Sequence, residues 1–452
     1  MAIISLFAMN KNQLLIARKA LPIILANATV PLLGLADTAA IGQVGGAREL
    51  GAIALGALVF SFVYWGFGFL RMGTTGFTAQ ALGAKDVAEI RAVFTRSMLL
   101  GLVIGLLLIV LQQAVCGLAL WLMNASDGVK ALVKQYFYVR IWGAPATLGM
   151  FALLGTLIGL GHTRQLLLIQ LFLNGLNISL NLLFVLGFGW GVRGIAAGTV
   201  IAEWFALLLG LWIVSRSLAV AAPNGGIRLA WSQIFRKDKF IKMLKTNSDI
   251  MLRTLALLAG FAWFTDQGAQ FGDVTLAANH ILLQFVSLSA FFLDGYAYVV
   301  EMMVGKAIGA KDRLAFIRDV RDSTQLAGFT ALMLALLVWF GGDKAIGFLT
   351  QDIAVRSTAS LYLSYAALYV MASFIAFQLD GVFIGATRSA EMRNASVFSL
   401  LIFIGVGIVL VSWMDNSGLW IAFVCYVLVR GISLAVYIPR ILNEIKKKHL
   451  SV

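Results

Sequence analysis

Charge is what this 452-residue chain has least of: Asp, Glu, Lys and Arg make up 12% of it, against about 25% in a soluble domain. A water-facing surface cannot be built from so few charged side chains at this length, which excludes a cytosolic enzyme. With 60% hydrophobic residues it also excludes a disordered chain. Cysteine is nearly absent, so there is no disulfide scaffold; Cys116 and Cys425 each lie in or beside an apolar run and read as packing residues. No nucleophile–base pair and no metal-spaced cluster lies in the apolar runs, so neither an enzyme nor a cofactor is expected. No repeated filter-like loop or pore-lining charge ring argues for a channel. The N-terminal Met1–Gln13 stretch has no charged leader and no small-residue cleavage site, and is expected to be mature chain rather than a signal peptide.

What the chain has in excess is long apolar runs, with a mean hydropathy of +0.90. They are too long and continuous for a β-barrel, and predict an all-α integral membrane protein. Twelve windows are long enough to span: 14–41, 51–79, 93–115, 131–159, 166–187, 194–215, 246–271, 276–304, 322–341, 354–384, 394–412 and 418–438. The net charge of +14 is not a nucleic-acid footprint, because the basic residues fall in short loops between these windows. Twenty-six of the Lys and Arg residues lie on one alternating set of segments. Seven, Arg48, Lys130, Lys134, Arg140, Arg193, Lys344 and Arg356, lie on the other, and Arg71 and Arg253 lie within spans. That asymmetry predicts both termini in the cytoplasm, with Lys446, Lys447 and Lys448 against anionic headgroups.

The chain also reads as a duplication. Ala81-Leu82-Gly83-Ala84-Lys85-Asp86 returns as Ala307-Ile308-Gly309-Ala310-Lys311-Asp312, and Ile158-Gly159 as Ile384-Gly385, both 226 positions on; Thr163-Arg164 returns as Thr387-Arg388 at an offset of 224, implying a small deletion. The expected organisation is an N-lobe over 1–216 (six helices), a cytoplasmic linker over 217–245 containing Pro223-Asn224-Gly225-Gly226, and a C-lobe over 246–452 (six helices). Six spans per copy give both copies the same orientation, related by a pseudo-two-fold axis along the membrane normal, an arrangement suited to alternating access.

Polar groups inside lipid are costly and therefore informative. The first window holds two of the five prolines, Pro22 and Pro31, with Gly34 beyond them. Each proline removes the in-helix donor to the carbonyl four residues back, so this helix is either a hinge or a static kink. It carries one carboxylate, Asp37. If Asp37 faces the bundle interior, burial penalises its charge and proton uptake lifts the penalty; the alternative is an aspartate at headgroup level in water. Asn174, Asn177 and Asn181 share one helical face, and could hydrogen-bond Asp37, ligate a cation or hold helices together. Thr199 and Glu203, one turn apart, could join that network. The second half has Arg253, Asp266, His280, Gln284, Asp294, Glu301, Gln378 and Asp380 in its windows; Arg71, Glu301 and Arg430 lie near cytoplasmic ends.

These motifs resemble a known family. Pro22, the Asn27-x-x-x-Pro31-Leu32-Leu33-Gly34-Leu35-Ala36-Asp37-Thr38 stretch with Ile41-Gly42, Thr78 to Lys85, and Asp380 to Arg388 are similar to the MATE (multidrug and toxic compound extrusion) family, closest to its DinF-like branch, over essentially the whole chain. The resemblance implies a cation-coupled antiporter of a bacterial-type inner membrane that exports bulky, often cationic, amphipathic small molecules; a monomer is expected. It places the ion-coupling carboxylate at Asp37, the bending proline at Pro22 and associated polar positions at Asn177, Asn181 and Thr199. The sequence departs from relatives at Asn181, where an aspartate is common; an amide cannot titrate, so a two-carboxylate mechanism is not implied. Asp37 then carries a proton alone, or is the one charge of a Na⁺ site with Asn177, Asn181 and Thr199. A second-lobe Na⁺ site at Asp380 and a lipid-linked precursor flippase of the same superfamily are the other readings.

Overall fold

The computed structural model describes residues 9–44, 46–123, 125–220 and 231–450. In lipid every backbone N–H and C=O must pair within its own segment, so the apolar runs become helices, and no strand occurs among the described residues. The first half contains α1 (Lys11–Val44), α2 (Ala47–Gly66), α3 (Phe69–Gly83), α4 (Val87–Val110), α5 (Gln112–Leu122), α6 (Asp127–Arg140), α7 (Ala144–Leu160), α8 (Thr163–Leu182) and α9 (Gly191–Val220). The second half contains α10 (Trp231–Ile234), α11 (Lys237–Gln270), α12 (Asp273–Gly309), α13 (Arg313–Leu349), α14 (Ile353–Gly385), α15 (Ser389–Ala435) and α16 (Ile438–Leu450).

Ten helical rods among the described residues are long and apolar enough to cross a bilayer. Two features complete twelve. The α15 helix is broken at Asp415, where φ 48 and ψ −132 leave the helical region and make two spans of one. The α11 helix is long enough, but Asp249, Arg253 and Asp266 lower its hydropathy. The expected turn Pro223-Asn224-Gly225-Gly226 lies outside the described residues, as do the side chains of Lys446, Lys447 and Lys448. By their internal contacts the residues form two units: Met1–Ile24 with Lys245–Val452, and Leu25–Leu244.

Each half repeats the same local chemistry. Lys85 and Lys311 sit at positive φ, 56 and 57, just past the ends of α3 and α12. The next N–H closes a Schellman turn in each, Asp86 N to Ala81 O at 3.0 Å and Asp312 N to Ala307 O at 2.8 Å. Both aspartates then cap the following helix, Asp86 accepting from Glu89 N and Asp312 from Ala315 N, each at 2.9 Å. The Lys-Asp repeat is therefore a helix stop followed at once by a helix start. The second repeated turn corrects the sequence match at 224. Gly161 (φ 75) corresponds to Thr387 (φ 54), with His162 N bonded to Leu157 O and Arg388 N to Phe383 O. That spacing is 226 again, and no deletion separates the copies.

The same register governs packing. Gly155 lies on the Arg71 carbonyl and Gly159 on the Thr75 carbonyl, seating α7 on α3. Gly381 lies on the Ala297 carbonyl and Gly385 on the Glu301 carbonyl, seating α14 on α12. Small residues four apart let helix backbones approach closely where the hydrophobic effect does not drive helices together. In the unit containing α11 to α15, Phe423 stacks on Tyr369 at 4.4 Å and meets Phe264 at 4.5 Å, at the centre of a closely packed aromatic core. The start of α1 belongs to this unit too: Ile16, Ala20 and Ile23 pack on Val299, Met302 and Met303. Asn12 Nδ2 donates to Asp322 Oδ2 at 2.9 Å and Asp319 Oδ1 at 3.2 Å.

The glycine seams make a stability prediction. Gly155→Val and Gly381→Val should each destabilise the protein by about 1–3 kcal/mol or more through overpacking against backbone. Thermal unfolding in detergent reads this out; wild-type melting for both variants would remove the seam from the account.

Candidate functional site

Three helices of the Leu25–Leu244 unit, α1, α8 and α9, bring the predicted polar residues together. Asp37, half-buried near the end of α1, accepts from Asn181 Nδ2 at 2.6 Å. The same nitrogen donates to Asn177 Oδ1, also at 2.6 Å. Thr199 of α9 donates to Asn177 Oδ1 at 3.3 Å and to Ile195 O at 2.9 Å. Asn177 and Asn181 are almost completely buried, as their positions one turn apart on the inner face of α8 demand. Asn174 faces α1 as well, but a different part: its Nδ2 donates to Thr29 Oγ1 at 2.5 Å.

The orientation of the Asn181 amide follows from its surroundings. Its nitrogen faces two acceptors, so turning it round would set oxygen against oxygen. Asn181 Oδ1 has no hydrogen-bond partner and rests against Gly198, where any side chain would collide with it. The hinge candidates lie on the same rod as Asp37. The α1 helix runs unbroken through Pro22, Pro31 and Gly34. Pro22 is buried, Pro31 and Gly34 are exposed, and a Cβ on Gly34 would meet nothing within 4 Å.

Sequence reading missed the strongest electrostatic feature of the site. Arg140, counted with the outer-loop basic residues, ends α6 in the interior at 7% exposure. Its Nη1 donates to Glu203 Oε2 at 2.7 Å and its Nη2 to Glu203 Oε1 at 2.5 Å. The guanidinium lies over the rings of Phe60 and Tyr64, 5.2 and 5.5 Å from their centroids. Its positive charge reaches Asp37 and the hydroxyls of Tyr64 and Tyr136. The signal available beforehand was a pair of opposite charges in two separate apolar windows.

The second-half residues do not form one site. Asp380 pairs with Arg253, and Arg430 stands 3.7 Å from the same carboxylate oxygen, all three buried. A cation at Asp380 would compete with two resident guanidinium groups. Gln378 accepts from Ser323 at 2.8 Å. Asp266 is exposed near the end of α11, bonded to the neighbouring Gln267; Asp294 is half-buried within α12, and His280 pairs with Gln284 on an exposed face of the same helix. An unforeseen pair, Asn279 and Asn416, exchanges hydrogen bonds at 2.7 and 3.0 Å, and Trp420 Nε1 donates to Asn279 at 2.9 Å. No cluster of three or more potential metal ligands occurs among the described residues.

Breaking the Arg140–Glu203 pair by halves should be far worse than removing it whole. Glu203→Leu should cost about 3–5 kcal/mol by leaving a buried guanidinium uncompensated, and Arg140→Met/Glu203→Leu much less. Comparable melting of the single and double variants would contradict this.

Comparison with known proteins agrees with the geometry. The family model described as MatE matches residues 22–183 and again 258–410, one segment in each half. The chain is 36% identical over 417 residues to the DNA damage-inducible protein F of Escherichia coli K12, covering 92% of this chain and 90% of that one. It is 24% identical over 425 residues to a probable multidrug resistance protein NorM of Acinetobacter baylyi, covering 92% of each. A solved MOP superfamily transporter from Pyrococcus furiosus superposes with a TM-score of 0.86 over 97% of both chains, at 18% identity.

Proposed function

The chain belongs to the MatE family of membrane transporters, and from that premise we propose that it is a proton-coupled exporter of amphipathic, cationic organic molecules. It works by alternating access in a bacterial inner membrane, as a monomer with both ends in the cytoplasm. The observation that carries the choice of ion is the Asn181 amide nitrogen facing both Asp37 Oδ1 and Asn177 Oδ1. A sodium ion needs oxygens converging on it, and here a donor occupies the place between them. A proton needs one acceptor, and Asp37 offers it.

Proton uptake has a mechanical consequence. An ionised Asp37 accepts a charge-assisted hydrogen bond, worth about 1.5–3 kcal/mol against about 1 kcal/mol for a neutral one. A proton on Oδ1 would point at the hydrogens of Asn181 and break the bond; one on Oδ2 removes the charge assistance. Either way the tie between α1 and α8 weakens. The α1 rod lacks in-helix donors to the Arg18 and Asn27 carbonyls, because Pro22 and Pro31 have no N–H. It therefore bends there once released. Bending expels the cargo from the first half, and proton release to the cytoplasm resets it. Each proton entering down the pH gradient delivers about 1.4 kcal/mol per pH unit.

Two tests address the parts separately. In proteoliposomes, a pH gradient alone should drive dye export and a Na⁺ gradient alone should not, and Asp37→Asn should reduce pH-driven export to the level of empty vesicles. Full export by Asp37→Asn would refute the coupling role. Pro22→Ala should slow turnover about tenfold, the weight of about 1.4 kcal/mol, without lowering thermal stability. Unchanged turnover would move the hinge elsewhere.

A further inference from the structure

The inventory of charge around Asp37 is short. Arg140 is the charged side chain whose field reaches it among the described residues. Arg140 and Glu203 hold each other through two hydrogen bonds, with Tyr64 and Tyr136 close to the guanidinium. Asn181, Asn177 and Thr199 are polar and uncharged. One side of the site thus holds two carboxylates and one guanidinium.

The guanidinium is not free to leave. Both carboxylate oxygens of Glu203 accept from it, and two aromatic faces lie beneath it. Such a group stays protonated at any working pH, and the bidentate fork fixes its position as well as its charge. Glu203 is consequently neutralised in place and unavailable as an anchor for anything else.

We propose that Arg140 determines the valence of the cargo: by cancelling Glu203 it leaves the site with one net negative charge when Asp37 is ionised and none when Asp37 holds a proton, so the exported molecules are monovalent organic cations and dications are refused. This rests on Asp37 being the coupling acid. A monocation and a proton are then interchangeable in charge, which is what a one-for-one exchange at a single carboxylate requires. A dication would bring a second positive charge into a region of low dielectric with no acid to meet it and a fixed guanidinium nearby. The amide at Asn181 adds no charge, so the number of available acids stays at one.

The test is transport by the full-length protein in proteoliposomes under a pH gradient, with two dyes sharing one ring system: ethidium, a monocation, and propidium, a dication. The wild type should export ethidium in strong preference to propidium. Arg140→Gln and Asn181→Asp each add one uncompensated acid, and should shift the propidium-to-ethidium ratio upward by about tenfold. Arg140→Gln/Glu203→Gln removes both charges of the pair, and should keep the wild-type ratio. Asn181→Asp is nearly isosteric and carries the test should Arg140→Gln fail to yield folded protein. Equal export of both dyes by the wild type, or an unshifted ratio in Asn181→Asp and every folded Arg140→Gln sample, overturns the proposal. So does a raised ratio in Arg140→Gln/Glu203→Gln. Asp37→Asn separates the two levels. If it still exports, the coupling reading and this one fall together; if it is inactive while the ratios do not respond, only the valence rule falls.

Discussion

Asn181 has one amide nitrogen and gives it to two acceptors, and much of the polar interior of its unit is arranged around that choice. The bond to Asp37 joins α1 to α8; the bond to Asn177 fixes the amide so that its oxygen points away, against a glycine that leaves room for it. Thr199 brings α9 to the same acceptor. In water these contacts would be nearly free to exchange with solvent. Surrounded by apolar helices they have few alternatives, so altering the charge of one carboxyl group changes how a whole helix is held.

The two units spend their buried charge in opposite ways. Beside Asp37 there are two acids to one base, with the base locked onto Glu203. At Asp380 there are two bases to one acid. The first arrangement leaves Asp37 held by a neutral amide; the second sets its carboxylate against two guanidinium groups. The duplicated halves thus carry opposite charge balances at these two carboxylates. The unit with Asp380 also holds the aromatic packing around Phe423, whose interlocked rings resist rearrangement.

How much was legible beforehand follows from how local each feature is. The hydropathic windows located the spans because membrane helices satisfy their backbones internally, so their signal is contiguous. Even α11, too charged for a strict threshold, shows as a window once Asp249, Arg253 and Asp266 are tolerated. Asp37 stood out as a lone acid in an apolar run, and Asn174, Asn177 and Asn181 as a periodic face, both readable within a single helix. Arg140 did not, because its partner lies 63 positions away and a basic residue near a span end looks like an ordinary anchor. Asn279 and Asn416 were invisible for the same reason, 137 positions apart. The match of Thr163 with Thr387 misled because identity of letters was followed where identity of conformation, Gly161 with Thr387, was the true correspondence.

That correspondence runs through turns, caps and helix seams without a break in spacing. An α-helix advances about 100° per residue, so losing or gaining a single residue between a turn and its seam would swing Gly155 or Gly381 a quarter-turn off the carbonyl it rests on. Substitution could be absorbed after the ancestral duplication; insertion could not. The two copies therefore differ in letters while staying in step in length, as the shared spacing of their turns and seams requires.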